Sequence, residues 1–185
     1  MEALGAKAPV GFSCEKIKGK QEFIAQVVQT KMQAVHCIFE EMMDLPSGVG
    51  PCYHHKAEGT DCTVSMTGDV FVCGFSCKDL SRLNNSHSPA KRTRILEDGI
   101  GSTGGTFQAL LGHVRRARPP CLLLENVDEL TKQTDQGANP NLEYLWESFG
   151  KIDYFGTSLT MKTNKKTTSN RNKKRISNKY IYIYI

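Results

Sequence analysis

Apolar residues fall into short blocks separated by polar and glycine-rich stretches. Pro9–Cys14 (PVGFSC) and Gln33–Phe39 (QAVHCIF) read as short buried strands. Asp69–Gly74 (DVFVCG) is the clearest β-rich run, and Cys121–Leu124 (CLLL) is a further buried strand. Helical spacing appears in Gln21–Lys31, through Phe23, Ile24, Val27 and Val28. It recurs in Thr106–Arg118, through Phe107, Leu110, Leu111 and Val114, and Pro119-Pro120 stops it. Leu142–Phe149 is a short amphipathic helix, while residues 46–68 lack any period and 76–105 are polar and glycine-rich, and both read as loops. The resulting order, β-α-β-loop-β-loop-α-β-α, predicts a parallel sheet covered on both faces. In such sheets ligands bind beyond the carboxyl ends of the strands. Glu15, Glu40, Glu41, Cys77 and Glu125 all stand just after predicted strands.

The pattern ends near residue 160. Residues 161–185 are dense in Lys, Asn, Thr and Ser, which cannot bury a core, so this tail is expected to be disordered. The last six residues alternate Tyr and Ile and form a β-prone segment. Every residue from Met161 to Lys179 has a codon beginning with A, and a TA repeat encodes Tyr-Ile. The tail therefore reads as translated AT-rich sequence; the rival reading is a nuclear-localisation or nucleic-acid tail built on Arg171–Arg175. The expected organisation is a domain over 1–160 and a basic low-complexity tail over 161–185.

Charge follows the same division. Eight of the 24 basic residues lie beyond Asp153, where no acid occurs. Residues 1–153 thus carry 16 basic against 19 acidic groups, net −3, so the formal +5 of the chain is no evidence that the body binds nucleic acid. No apolar run is long enough for a transmembrane helix, and the first ten residues hold no signal-like block. The seven scattered cysteines are then expected to be free thiols.

Several groups could carry chemistry. Gly99-Ile-Gly-Ser-Thr-Gly104 matches a dinucleotide-binding fingerprint, but the polar, basic Ser88–Asp98 before it does not look like the required strand. A flexible loop leading into the helix is the expected structure, and no nicotinamide cofactor is expected. Cys37, Cys52, His54, His55 and Cys62 could ligate zinc, but Cys-x14-Cys-x-His and His-x6-Cys match no compact pair, so no metal is expected. Cys73 lies inside a strand and should be inert. Cys77 lies beyond the strand's carboxyl end, where it should be exposed, with Lys78 favouring its thiolate. Glu125 follows four apolar residues at a sheet rim, where desolvation makes it a possible proton donor; the bland alternative is a helix N-cap region around Asn126.

Gly74-Phe-Ser-Cys77 resembles the Gly-Phe-Pro-Cys nucleophile loop of the DNA (cytosine-5) methyltransferases. Arg118-Pro-Pro-Cys-Leu-Leu-Leu-Glu-Asn-Val127 resembles their Lys-Pro…Glu-Asn-Val strand, and Gly105-Thr-Phe107 the segment before the intervening helix. Phe12-Ser-Cys-Glu15 and Phe39-Glu-Glu-Met42 resemble the strand ends whose acids meet the cofactor ribose and adenine. The resemblance covers about residues 9–150. It implies an incomplete Rossmann-like, S-adenosylmethionine-dependent methyltransferase fold of α/β class with a mostly parallel sheet. It also implies Cys77 as nucleophile, Glu125 as partner of cytosine N3, and Glu15, Glu41 and Ser76 as cofactor contacts. The cofactor is S-adenosylmethionine, the partner DNA or, from a related branch, RNA, and the expected location is the nucleus. Ser76 stands where the family has proline and Lys78 where it has glutamine. The glycine-rich cofactor loop and the downstream recognition motifs have no counterpart. The alternative function is a catalytically inactive binding or regulatory module.

Overall fold

The computed structural model describes residues 10–32, 37–80, 94–131, 139–162 and 177–184. These form two units, one of residues 1–68 with 112–118, the other of 69–111 with 119–185.

In the first unit, β1 (Phe12–Cys14) and β2 (Cys37–Phe39) pair in parallel, Cys14 opposite Phe39. Between them runs α1 (Lys18–Met32). The helix lies where its spacing predicts, but it turns a different face inward: Gln21 and Ala25 are buried, while Phe23 is 66% exposed. Gln21 donates its side-chain amide to the Glu15 carbonyl, which fixes that orientation. Phe39, Leu45 and Val64 form the core, and Phe12 packs edge-on against Phe39 at 5.7 Å. The aperiodic stretch 46–68 is not a plain loop. A 3₁₀ turn at Met42–Ser47 ends on left-handed Gly48. Two-residue strands β3 (Val49–Gly50) and β4 (Cys62–Thr63) then pair antiparallel across the intervening residues 51–61.

In the second unit, β5 (Val70–Gly74) pairs in parallel with β6 (Cys121–Val127). A short helix α2 (Ile95–Asp98) precedes α3 (Gly101–Ala117). The helix α3 starts five residues before its predicted Thr106, and the glycine-rich segment is its first turn. Gly104 explains this: a Cβ there would lie 2.4 Å from the Gly99 carbonyl carbon and 2.6 Å from the Ile95 oxygen, so only glycine lets the helix back onto α2. The residues just before the fingerprint are helical, so the nicotinamide motif lacks its strand. α4 (Pro140–Gly150) starts from Asn139, whose side chain accepts from Leu142 N–H while Glu143 accepts from Asn139 N–H. Phe107 packs on Phe75, Tyr144 and Phe149, and the Tyr154 hydroxyl donates to the Pro119 carbonyl at 2.7 Å.

Part of the stretch expected as a tail is described as strand. β7 (Phe155–Lys162) and β8 (Ser177–Tyr184) pair antiparallel, and β8 also pairs antiparallel with β6, giving the order β5-β6-β8-β7. A β-prone Tyr-Ile alternation meets the open edge of β6, whose unpaired backbone groups favour a strand. The predicted basic stretch Arg171–Arg175 lies outside the described residues. Among the described residues the chain is mixed α/β, with β1-β2 and β5-β6 parallel and β3-β4, β6-β8 and β7-β8 antiparallel.

Candidate functional site

The parallel register of β5 and β6 places Gly74 opposite Glu125. A Cβ on Gly74 would stand 3.1 Å from the Glu125 carboxylate, so glycine leaves room for that acid three residues before Cys77. Glu125 lies within β6 rather than after it, and the strand continues to Val127. Burial alternates along β6: Leu122, Leu124 and Asn126 face the core, and Glu125 lies on the opposite, half-buried face.

Asn126 is therefore not a helix cap. It is 2% exposed and donates to the Phe75 carbonyl at 3.1 Å, while its oxygen accepts from Val127 N–H at 2.9 Å. The Glu-Asn pair divides its work: one side chain reaches the rim, the next locks the loop that carries Cys77.

The start of α3 holds the same loop from a second direction. Ser76 N–H donates to Thr106 Oγ1 at 3.0 Å, and the Ser102 hydroxyl donates to Ser76 Oγ at 3.0 Å. Asp79 N–H donates to Thr103 Oγ1, and Thr103 N–H donates back to the Asp79 carboxylate at 2.8 Å. Left-handed Gly101 makes this possible, since a Cβ there would lie 2.6 Å from that carboxylate. The sequence names Thr106 only as a helix start and Asn126 only as a possible cap and part of Glu-Asn-Val, and it does not single out Ser102 or Thr103. The signal for Ser102, Thr103 and Thr106 is a cluster of small hydroxyl residues at a helix start.

Cys77 is half-buried rather than exposed. Burial pushes its thiol above the ordinary value, and the carboxylates of Glu125 and Glu129 push it the same way. Lys78 opposes them, as its charge predicts, but does not prevail. Cys73 is buried inside β5 as expected.

In the first unit, Glu15 and Glu41 stand at the carboxyl ends of neighbouring β1 and β2. Glu15 N–H donates to the Phe39 carbonyl, and its carboxylate accepts from Ile17 N–H at 2.9 Å and pairs with Lys20 at 3.5 Å. Glu41 pairs with Lys16 at 2.5 Å, while Glu40 is taken by Lys56 at 2.7 Å. Burial, then Glu41, Glu15 and Asp44, push the Cys14 thiol up to about 12. This corner is rich in acceptors and negative potential. The predicted residues thus gather in two groups: Glu15 with Glu41, and Ser76 with Cys77 and Glu125.

In the same unit four of the Cys/His residues come together. Sγ of Cys37, Cys52 and Cys62 and a ring nitrogen of His55 lie within 4.8 Å of one another. Backbone pairing, not sequence spacing, brings them together. Cys52 bridges antiparallel to Phe39, and Cys62 pairs with Gly50 across the hairpin.

No protein-family model matches the chain. Over 143 residues, 77% of its length, the chain is 30% identical to the DNA (cytosine-5-)-methyltransferase DMT5 of Cryptococcus neoformans var. grubii serotype A. The match spans 5% of that protein's own length. Over most of its length the chain is thus similar to a short part of one DNA (cytosine-5-)-methyltransferase. Among the described residues no helix is long and apolar enough to cross a membrane.

Proposed function

We propose that this chain supplies part of the catalytic centre of a methyltransferase acting on carbon 5 of cytosine in DNA, built on a Rossmann-like sheet. The observation that carries the reading is the β5–β6 register: it sets Glu125 beside Gly74, at the root of the Cys77 loop. The relative supports the same reading, because its name states that reaction.

Carbon 5 of cytosine is a poor nucleophile. Addition of the Cys77 sulfur to carbon 6 moves ring electrons onto carbon 5 and onto N3. The Glu125 carboxyl group meets N3 and stabilises that adduct. Loss of the carbon 5 proton after methylation restores the ring and expels Cys77. A base paired in a duplex must first be flipped out to reach these groups. The loop's hydrogen bonds to Thr106, Thr103 and Asn126 fix the position of Cys77 before substrate arrives. Its raised thiol makes deprotonation the step the free chain resists.

Glu15 and Glu41 fit the nucleoside half of S-adenosylmethionine, since carboxylates accept from hydroxyl and amine donors. The negative corner that raises Cys14 also suits a cationic ligand. When bound, that cofactor supplies an electrophilic methyl group. Ser76 is a further contact on this reading, and the nucleus is where such a substrate is met.

The test is transfer of labelled methyl from S-adenosylmethionine into duplex DNA and, separately, into RNA. DNA should be labelled, Cys77→Ala should abolish labelling, and Glu125→Gln should lower it by about 10²-fold or more. Labelling of RNA alone would move the substrate class. The raised Cys77 thiol favours a second reading, an inactive binding module. Binding of the cofactor in equilibrium dialysis without transfer to either nucleic acid would select it.

A further inference from the structure

We propose that Cys37, Cys52, His55 and Cys62 form a structural zinc site. The four side chains come from three separate pieces of backbone: the start of β2, the turn after β3, and β4. Their ligand atoms all lie within 4.8 Å of one another, and Cys62 Sγ is 3.1 Å from His55 Nδ1. Zinc held at its usual bond lengths to sulfur and imidazole nitrogen has tetrahedral edges of about 3.5–3.8 Å. The cluster therefore needs only small side-chain adjustments to enclose the ion.

The backbone is arranged to hold these groups. Tyr53 N–H donates to the Ile38 carbonyl at 2.8 Å, tying the turn to β2, and His55 N–H donates to the Cys52 carbonyl at 3.1 Å. That tight turn places Cys52 and His55 three residues apart on one side, a compact Cys-x2-His pair. Cys52 is fully buried, and the other three are half-buried. All three thiols are free. One disulfide could use only two of them, leaving a third thiol and an imidazole facing it. A borderline-soft set of three thiolates and one imidazole suits zinc. With four protein ligands there is no open position, so the site is structural rather than catalytic.

The fold also shows what the ion would secure. The 3₁₀ turn Lys56–Glu58 buries none of its residues, and its backbone is held locally. Zinc would fasten this turn and the β3–β4 hairpin to β2, whose carboxyl end carries Glu41. The inference does not depend on the methyl-transfer reading.

The test uses the full chain, purified under reducing conditions with zinc present and then dialysed against zinc-free buffer. Metal analysis should find on the order of one zinc per chain. Substitution by cobalt(II) should give the visible bands of a tetrahedral thiolate complex, with sulfur-to-metal charge transfer in the near ultraviolet. Cys52→Ser and His55→Ala should lower retained zinc at least tenfold, whereas Cys121→Ser, outside the cluster, should retain it. Cys62→His keeps four ligands, so it should hold cobalt with weaker charge transfer even where the serine variants misfold. A folded wild-type chain without zinc, giving octahedral cobalt spectra or a disulfide among Cys37, Cys52 and Cys62, would overturn the proposal. Equal zinc loss in Cys121→Ser would also overturn it.

Discussion

Replacing Asn126 by Leu keeps the approximate volume of a side chain that is 2% exposed but removes two hydrogen bonds. The Phe75 carbonyl then loses its donor inside the core, which costs about 1–3 kcal/mol. The Val127 N–H is only partly buried and recovers some solvation, so its loss adds up to about 1 kcal/mol. The sum is roughly 1–4 kcal/mol. With a urea slope of about 2 kcal/mol/M, the midpoint should fall by about 0.5–2 M. Asn126→Asp separates the two bonds. It keeps the acceptor for Val127 but sets a carboxylate against the Phe75 carbonyl, so it should be at least as destabilising. Urea unfolding followed by tryptophan fluorescence reads both variants. The Cys77 loop should also loosen, so iodoacetamide should alkylate Cys77 faster in Asn126→Leu at urea concentrations well below the midpoint. A midpoint shift under about 0.3 M with unchanged alkylation would refute the assignment of Asn126 as the lock of this loop.

Other consequences follow from the same geometry. Gly104→Ala should cost several kcal/mol or prevent folding, because its Cβ meets backbone at 2.4 Å; Gly150→Ala, with nothing within 4 Å, should be neutral or stabilising by thermal melting. Because the Cys14 thiol is raised from 9.0 to about 12, the folded chain holds a proton that the unfolded chain has lost in that window. Stability is therefore present below pH 9, should fall as pH rises toward 12, and should fall less steeply in Cys14→Ala. Alkylation of Cys77 should have its pH midpoint above 9.0, and Glu125→Gln should lower that midpoint, because one carboxylate that raises the thiol is gone. Truncation after Lys162 should remove amide-exchange protection from the alternate β6 amides that face β8, those of Leu122, Leu124 and Asn126, while Cys121, which donates to the Asp69 carbonyl, keeps its protection; it should also promote aggregation through that edge.

The strands β5 and β6 were legible because continuous apolar blocks leave few alternatives, and the positions of Cys77 and Glu125 at the ends of those blocks follow from the same pattern. The extension of β6 through Glu125 and Asn126 was less so: polar residues end a hydrophobic pattern even when backbone pairing continues. The face of α1 was misleading, since Phe23 and Val27 are exposed while Gln21 is buried through a backbone contact that no periodicity records. The start of α3 was hidden by its glycines, which discourage helix in isolation but are required where two backbones meet. The Cys/His residues are visible as possible ligands in the sequence, but their grouping is not, because Cys37 and Cys62 are brought to Cys52 and His55 by long-range pairing. The strand β8 was obscured by the charge of the residues before it, although its alternation was visible.

The most direct measurement is covalent trapping of the full chain on duplex DNA containing 5-fluorocytosine, with S-adenosylmethionine present and the adduct mapped by peptide mass spectrometry. Fluorine at carbon 5 blocks the final elimination, so the account predicts a stable adduct on Cys77 and none in Cys77→Ala. An adduct on another cysteine, or an unmodified Cys77 in a chain shown to bind both DNA and cofactor, would contradict it.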